Sequence, residues 1–289
     1  MADPRKIVRE NVPGEFFVDS TCIDCDTCRQ IAPEVFGEAD SYSFVQFQPT
    51  DSEQTHRSLQ ALVCCPTGSI GTHGRNAAGA VLDDFPLPIE DDVYYSGMNS
   101  PKSFGGNSYF IRRPDGNWLV DSPKFLPRLV RRIEQWGGLS RIFLTHSDDV
   151  ADAERFALHF GAKRVIHRNE LHSQPTAEIV VDGFEPVQVA NDFLVIPTPG
   201  HTEGHCCLLY RDRYLFTGDH LWWNRDSEGL GASRPYCWYS WPDQCRSMER
   251  LLNYRFEWVF PGHGQRVHLS ADDMNRQLGE LVANMRRIG

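Results

Sequence analysis

The chain has 289 residues, 40% of them hydrophobic and 24% charged, and a formal net charge of −10 at pH 7. That length suits one large or two modest domains with a real core, and the absence of any Lys/Arg-rich block argues against binding to nucleic acid or anionic membrane. No apolar run approaches the ~18 residues of a membrane span, and Met1-Ala2-Asp3-Pro4-Arg5-Lys6 opens no signal-peptide core.

Chemistry begins at Cys22-Ile23-Asp24-Cys25-Asp26-Thr27-Cys28, a C-x2-C-x2-C run, with a fourth thiol followed by proline at Cys65-Pro66. Three closely spaced thiolates wrap three corners of an iron–sulfur cube, and a distant Cys-Pro supplies the fourth. Asp51 to Val63 reads as a helix with Leu59, Leu62 and Val63 apolar, which would carry Cys65 back to the loop. A zinc knot on the same thiols is the alternative, but zinc sites usually pair two C-x2-4-C units or Cys with His. Over about residues 15 to 75 the pattern, with Ala32-Pro33-Glu34-Val35-Phe36 after the third cysteine, resembles the single-cluster bacterial-type ferredoxins. Because Cys25 is present, the resemblance implies a [4Fe-4S] cluster held by Cys22, Cys25, Cys28 and Cys65. Cys64, Cys206 and Cys207 read as buried packing thiols; Cys237 and Cys245 carry no motif. Such cysteine usage implies a reducing compartment, a bacterial cytoplasm or a plastid stroma.

Gly71 to Pro88 loses periodicity and is rich in Gly, Ala, Asp and Pro, so residues 76–88 read as a linker between an amino-terminal domain (1–75) and a second one (89–289). His73 there reads as a solvated loop residue. In the second domain a strand follows Gly105-Gly106, and Trp118 to Asp121 is another, with Asp121 either supporting a metal loop or capping a helix. Leu126, Leu129, Val130, Ile133 and Trp136 mark an outer helix ended by Gly137-Gly138. Strands are expected at Ile142 to Leu144, Val165-Ile166, Ile179 to Val181 and Phe193 to Ile196, and His167 and His172 read as surface residues. Trp222-Trp223 and Trp238 to Trp241 read as loop packing or as a substrate wall. Pro242 opens a helix with Cys245, Met248, Leu251 and Leu252. Ser270 and Asp273 cap a last one with Met274, Leu278, Leu281, Met285 and Ile288 on one face.

Four apolar runs in this domain end in metal-capable residues: Thr145-His146, Pro199-Gly200-His201, Thr217-Gly218-Asp219 and Pro261-Gly262-His263. Placed where strands give way to loops, such residues can converge at one sheet edge. Their order and flanking Gly and Pro resemble the motifs of the metallo-β-lactamase fold superfamily over roughly residues 90 to 289, which implies an αββα sandwich. The fold class is thus α+β, a ferredoxin-like domain followed by that sandwich. One motif departs: the family's His-x-His-x-Asp-His loop reads His146-Ser147-Asp148-Asp149-Val150-Ala151-Asp152-Ala153, and a second metal loses ligands. Asp148 is a ligand or a helix cap, Asp149 a cap, and Asp152 helix surface.

What survives is His146, His201 and Asp219, with Asp148 and His263 as further metal candidates. Two imidazoles and one carboxylate that leave positions open suit non-haem Fe(II) chemistry. The resemblance points the same way, because persulfide dioxygenases of the superfamily hold one iron at these three motif positions. The leading expectation is therefore an oxidoreductase in which the cluster exchanges electrons with one metal ion, iron or zinc, with His201 and Asp219 in the catalytic centre and a small, sulfur-containing substrate. A mononuclear zinc hydrolase of thioesterase or glyoxalase II type is the runner-up. A degenerate site that only transfers electrons or binds a redox partner protein is the third reading.

Overall fold

The computed structural model describes residues 2–74 and 78–288. Its chain forms two compact units, residues 1–117 with 123–139, and residues 118–122 with 140–289. Among the described residues no helix is long and apolar enough to cross a membrane.

In the first unit, β1 (Phe16–Val18) is followed by α1 (Thr27–Ile31), β2 (Phe36–Glu38), β3 (Ser43–Val45), α2 (Ser52–Cys64) and β4 (Ile70–Thr72). β1 and β4 pair antiparallel with Val18 opposite Ile70, and β2 and β3 form a second ribbon. Asp51 caps α2 by accepting from the Gln54 amide, which leaves the helix to deliver Cys65 as expected. Its buried face is Ser58, Leu59, Ala61 and Cys64, whereas Leu62 and Val63 are only half-buried.

The stretch read as a linker is ordered on either side of its undescribed residues. It holds α3 (Ala78–Val81), a turn at Leu82–Asp84 and the start of β5 (Leu87–Glu90). Arg128 of α4 (Pro127–Gln135) grips that turn through two bonds to Asp83. β5, β6 (Val93–Tyr95) and β7 (Tyr109–Ile111) form an antiparallel run in the same unit. Local composition signals turns and cannot register such tertiary anchoring.

The second unit holds two sheets. β8 (Trp118–Val120), β9 (Arg141–Phe143), β10 (Lys163–His167) and β11 (Ile179–Val181) are parallel, with α5 (Ala153–Phe160) connecting β9 to β10. The other sheet has six strands in the order β12 (Val187–Ala190), β13 (Phe193–Pro197), β14 (Cys206–Tyr210), β15 (Tyr214–Gly218), β18 (Trp258–Pro261) and β19 (Val267–His268). β16 (Trp222–Asn224) and β17 (Gly229–Gly231) make a small ribbon between β15 and α6 (Trp241–Leu251), and α7 (Ala271–Ile288) closes the chain.

Period-two alternation gives the six-stranded sheet two apolar faces. Ile196, Cys207, Leu209, Leu215 and Val259 meet Met248 and Leu251 of α6 and Met274 and Leu278 of α7. On the opposite face Phe193 stacks on Trp118 at 3.9 Å and on Tyr210 at 4.6 Å, and Phe216 stacks on Phe260 at 5.1 Å. Cys206 and Cys207 are buried in this strand pair, as read.

Candidate metal centres

Four cysteines of the first unit, Cys22, Cys25, Cys28 and Cys65, line one pocket together with Thr27, Ser43, Thr67 and Ser69. All four thiols are free. Burial pushes the Cys25 thiol up to about 11 and raises Cys22 and Cys28 as well, so the pocket disfavours naked thiolates and favours a cationic guest. Backbone N–H groups already point at sulfur: Ser43 donates to Cys22 Sγ at 3.4 Å and Ser69 to Cys65 Sγ at 3.2 Å. A cavity walled by four sulfurs and tipped with amide donors fits an iron–sulfur cube. Cys64 points elsewhere, fully buried, with the Met98 amide donating to its sulfur at 3.4 Å.

In the second unit, His146, His201, Asp219 and His263 each lie within a few residues of the end of β9, β13, β15 and β18, respectively. His146 Nε2 and His201 Nε2 each stand 3.7 Å from Asp219 Oδ2. Both nitrogens are buried without a hydrogen-bond partner, and the two rings meet edge to face at 4.8 Å. Asp148 Oδ2 is 3.6 Å from His201 Nε2, on the exposed side. His263 takes a different position: its Nδ1 pairs with Asp219 Oδ1 at 2.8 Å.

The tautomers follow from the outer contacts. The Tyr236 carbonyl lies 2.6 Å from His201 Nδ1, so Nδ1 carries the proton and Nε2 the lone pair. Thr145 Oγ1 is 3.0 Å from each carboxylate oxygen of Asp121 and 2.9 Å from His146 Nδ1. With its one hydrogen donated to Asp121, the hydroxyl accepts from His146 Nδ1–H, and His146 Nε2 also faces inward as a lone pair. Asp121 therefore supports the metal loop and caps no helix; Leu126 is the residue before α4.

Electrostatics at these residues suit a bound cation. Burial lowers His146 to about 4. Burial raises Asp149 well above the carboxylate range, and neighbouring Asp219 adds to it. Burial opposes ionisation of Asp219 too, but His263 overcomes it and holds that carboxyl far below its usual value. Two sets of donors lie within metal-binding reach, His146 with Asp148 and His201, and His146 with Asp149 and Asp219.

Several expectations for this loop change. Neither Asp148 nor Asp149 caps α5; Asp152 occupies that position and is buried at 7% rather than on the surface. Asp149, absent from the expected ligands, turns both oxygens inward, 1% exposed and without a partner. Gly262 makes room for it, since a Cβ there would lie 2.4 Å from Asp149 Oδ2 and 2.8 Å from Asp219 Oδ1. His205 and His220 are two further buried imidazoles behind the site, stacked at 5.0 Å, and His205 lies 5.2 Å from His146. Gly218, at φ 47°, lets His205 and Thr145 approach where a Cβ would sit 2.6 Å and 2.7 Å from them. His167, read as a surface residue, is buried and bonded to the Gly183 carbonyl at 2.9 Å, while His172 and His73 are exposed. Of the aromatic residues, Trp241 packs in the core, and Tyr236, Trp238 and Tyr239 stand exposed beside His201.

Comparison with known proteins fits this picture. A family profile described as the 4Fe-4S single cluster domain of ferredoxin I matches residues 18–72. A hydroxyacylglutathione hydrolase from Citrobacter koseri is 30% identical over 129 residues, 43% of this chain and 51% of that protein. Its counterpart from Salmonella arizonae is 29% identical over 128 residues, with the same coverage. The chain thus spans about half the length of the curated relatives it matches. Among solved structures, the BLEG-1 B3 metallo-beta-lactamase aligns with a TM-score of 0.50 at 19% identity, over 61% of this chain and 93% of that one. A metallo-beta-lactamase family protein from Thermus thermophilus aligns with a TM-score of 0.50 at 19% identity, over 69% and 81%. A profile of the metallo-beta-lactamase superfamily matches residues 102–263, and the chain belongs to that superfamily, with a single-cluster ferredoxin domain fused ahead of it.

Proposed function

We propose that this protein is an iron–sulfur oxidoreductase. In this reading His146 Nε2, His201 Nε2 and Asp219 Oδ2 would hold one iron ion in the second unit, and the ferredoxin-type cluster would supply or accept single electrons. The observation that carries it is the pair of buried, partnerless Nε2 lone pairs, each 3.7 Å from one carboxylate oxygen. Two imidazoles and one carboxylate on one face leave positions open and are the donor set of non-haem Fe(II) oxygenases. An ion there would supply one-electron chemistry and a place for substrate to bind. Tyr236 and Thr145–Asp121 hold the two imidazoles in the ligating tautomer, and burial keeps His146 neutral. A small, sulfur-containing substrate is supported by the curated relatives, whose name gives them a glutathione derivative to hydrolyse.

Protein purified without air should contain iron beyond the four atoms of a cube, and an anomalous scattering scan should place it at His146, His201 and Asp219. His201→Ala should lose that iron and keep the cluster signal. Zinc at that position, or an unchanged metal content in the variant, would sink the reading.

One observation favours a second reading, hydrolysis at a pair of metal ions. Asp149 is a buried carboxylate with no hydrogen bond, next to Asp219, and a second cation would neutralise it. A metal-activated water would then attack an ester or thioester. Two zinc ions per chain, one of them lost in Asp149→Asn, would decide for it.

A further inference from the structure

The loop that presents Cys22, Cys25 and Cys28 carries an acid on each side of Cys25. Both acids adopt left-handed backbone, Asp24 at φ 56° and Asp26 at φ 62°, a conformation uncommon outside Gly, Asn and Asp that local side-chain hydrogen bonds support. Arg29, one residue past Cys28 and only 5% exposed, provides that support. Its Nη1 donates to Asp24 Oδ1 and its Nε to Asp26 Oδ1, each at 2.7 Å. Nη1 also donates to Ser43 Oγ at 2.9 Å, and the Ser43 amide is the one that donates to Cys22 Sγ. Glu38, opposite Ser43 across the β2–β3 ribbon, lies 3.7 Å from Arg29 Nε. A single guanidinium therefore joins the cysteine loop to the ribbon that hydrogen-bonds a cluster sulfur.

Burying a guanidinium is costly, and an apolar side chain of similar size would often be no less stable. Stability of the fold alone is thus a weak reason for this arrangement. Without Arg29, the carboxylates of Asp24 and Asp26 would flank Cys25 with no guanidinium between them, and Gln30 Nε2, which donates to Asp26 Oδ2 at 3.1 Å, carries no charge to offset theirs.

We propose that Arg29 is the positioning residue of the cluster loop: by holding Asp24 and Asp26 on one guanidinium, it fixes Cys25 among the four thiolates and raises the reduction potential of the bound cluster. Reduction adds one electron, supplied in the test by dithionite, and makes or breaks no bond. The cluster gains one negative charge, which a nearby cation favours and nearby carboxylates oppose. The fork shape of the guanidinium, matched to two carboxylates at once, separates geometry from charge, because a lysine keeps only the charge.

The test is a dithionite titration followed by electron paramagnetic resonance, together with the rate at which the cluster bleaches in air. Arg29→Met should shift the midpoint potential to more negative values and bleach faster than wild type. Arg29→Lys should bleach faster as well but keep a potential close to wild type. Should Arg29→Met fail to assemble a cluster, Asp24→Asn/Asp26→Asn with Arg29 intact should shift the potential upward. Equal potentials in wild type and Arg29→Met, equal shifts in Arg29→Met and Arg29→Lys, or an unmoved potential in the double asparagine variant would each overturn the proposal. None of these readouts depends on the metal of the second unit.

Discussion

Thr145 stands between a carboxylate and an imidazole, giving its hydrogen to Asp121 and receiving one from His146. Thr145→Val removes both bonds at nearly constant volume. Metal affinity in the second unit should fall by roughly 10–100-fold, the usual effect of losing such an outer partner, while Thr145→Ser should hold it. Titrating the metal-free protein with Fe(II) or Zn(II) measures both. Gly262→Ala should be harsher, because the added Cβ would fall 2.4 Å from Asp149 Oδ2; metal analysis should find the cluster iron kept and the other site lost. His146, His201 and Asp219 were legible in the sequence because each follows an apolar run, and residues placed where strands give way to loops can meet even when, as here, the strands belong to two sheets. Asp149 was not legible, since its inward turn depends on how the loop after β9 folds, with Ala151 at φ 33°. His205, His220 and His167 were missed for a related reason: each is buried by strands or loops that its own neighbours in sequence do not reveal.

At the scale of elements, the longest helix carries a plain packing role. Leu278 of α7 is fully buried against the six-stranded sheet, so Leu278→Ala should cost about 2–5 kcal/mol in denaturant unfolding and leave the cluster spectrum of the folded protein unchanged. Its apolar spacing and its Ser270–Asp273 cap were readable, and the structure bonds the Asp273 amide to Ser270 Oγ at 3.2 Å. The helix of residues 52–64 was readable for the same reason, a cap followed by a run long enough to show a period. The three-residue strands β1 to β4 were not, because so short a segment has no period to read and owes its pairing to partners elsewhere. The stretch read as a linker shows the same limit: Gly, Ala and Asp there do not announce that Arg128 will hold Asp83.

For the whole molecule, buried thiols outside both metal sites set an alkaline limit. Cys64 and Cys207 are each pushed from 9.0 up to about 12 by burial. Folded, they stay neutral while the unfolded chain ionises, so their contribution is intact below pH 9 and is lost as pH rises from 9 towards 12. Each should take about 1.4 kcal/mol per pH unit over that window. Thermal unfolding across the range should show the fall, and Cys64→Ala/Cys207→Ala should flatten it. A last consequence concerns the order of maturation. Three of the four cluster cysteines, Cys22, Cys25 and Cys28, stand close together in sequence and precede every strand of the second unit, so a growing polypeptide can present them before that unit exists. His146, His201 and Asp219 follow three different strands, β9, β13 and β15, drawn from two sheets, and are brought together only by the folded unit. A metal ion in the second unit, as proposed above, would therefore be taken up only after both sheets have formed, which would make its uptake a reporter of folding.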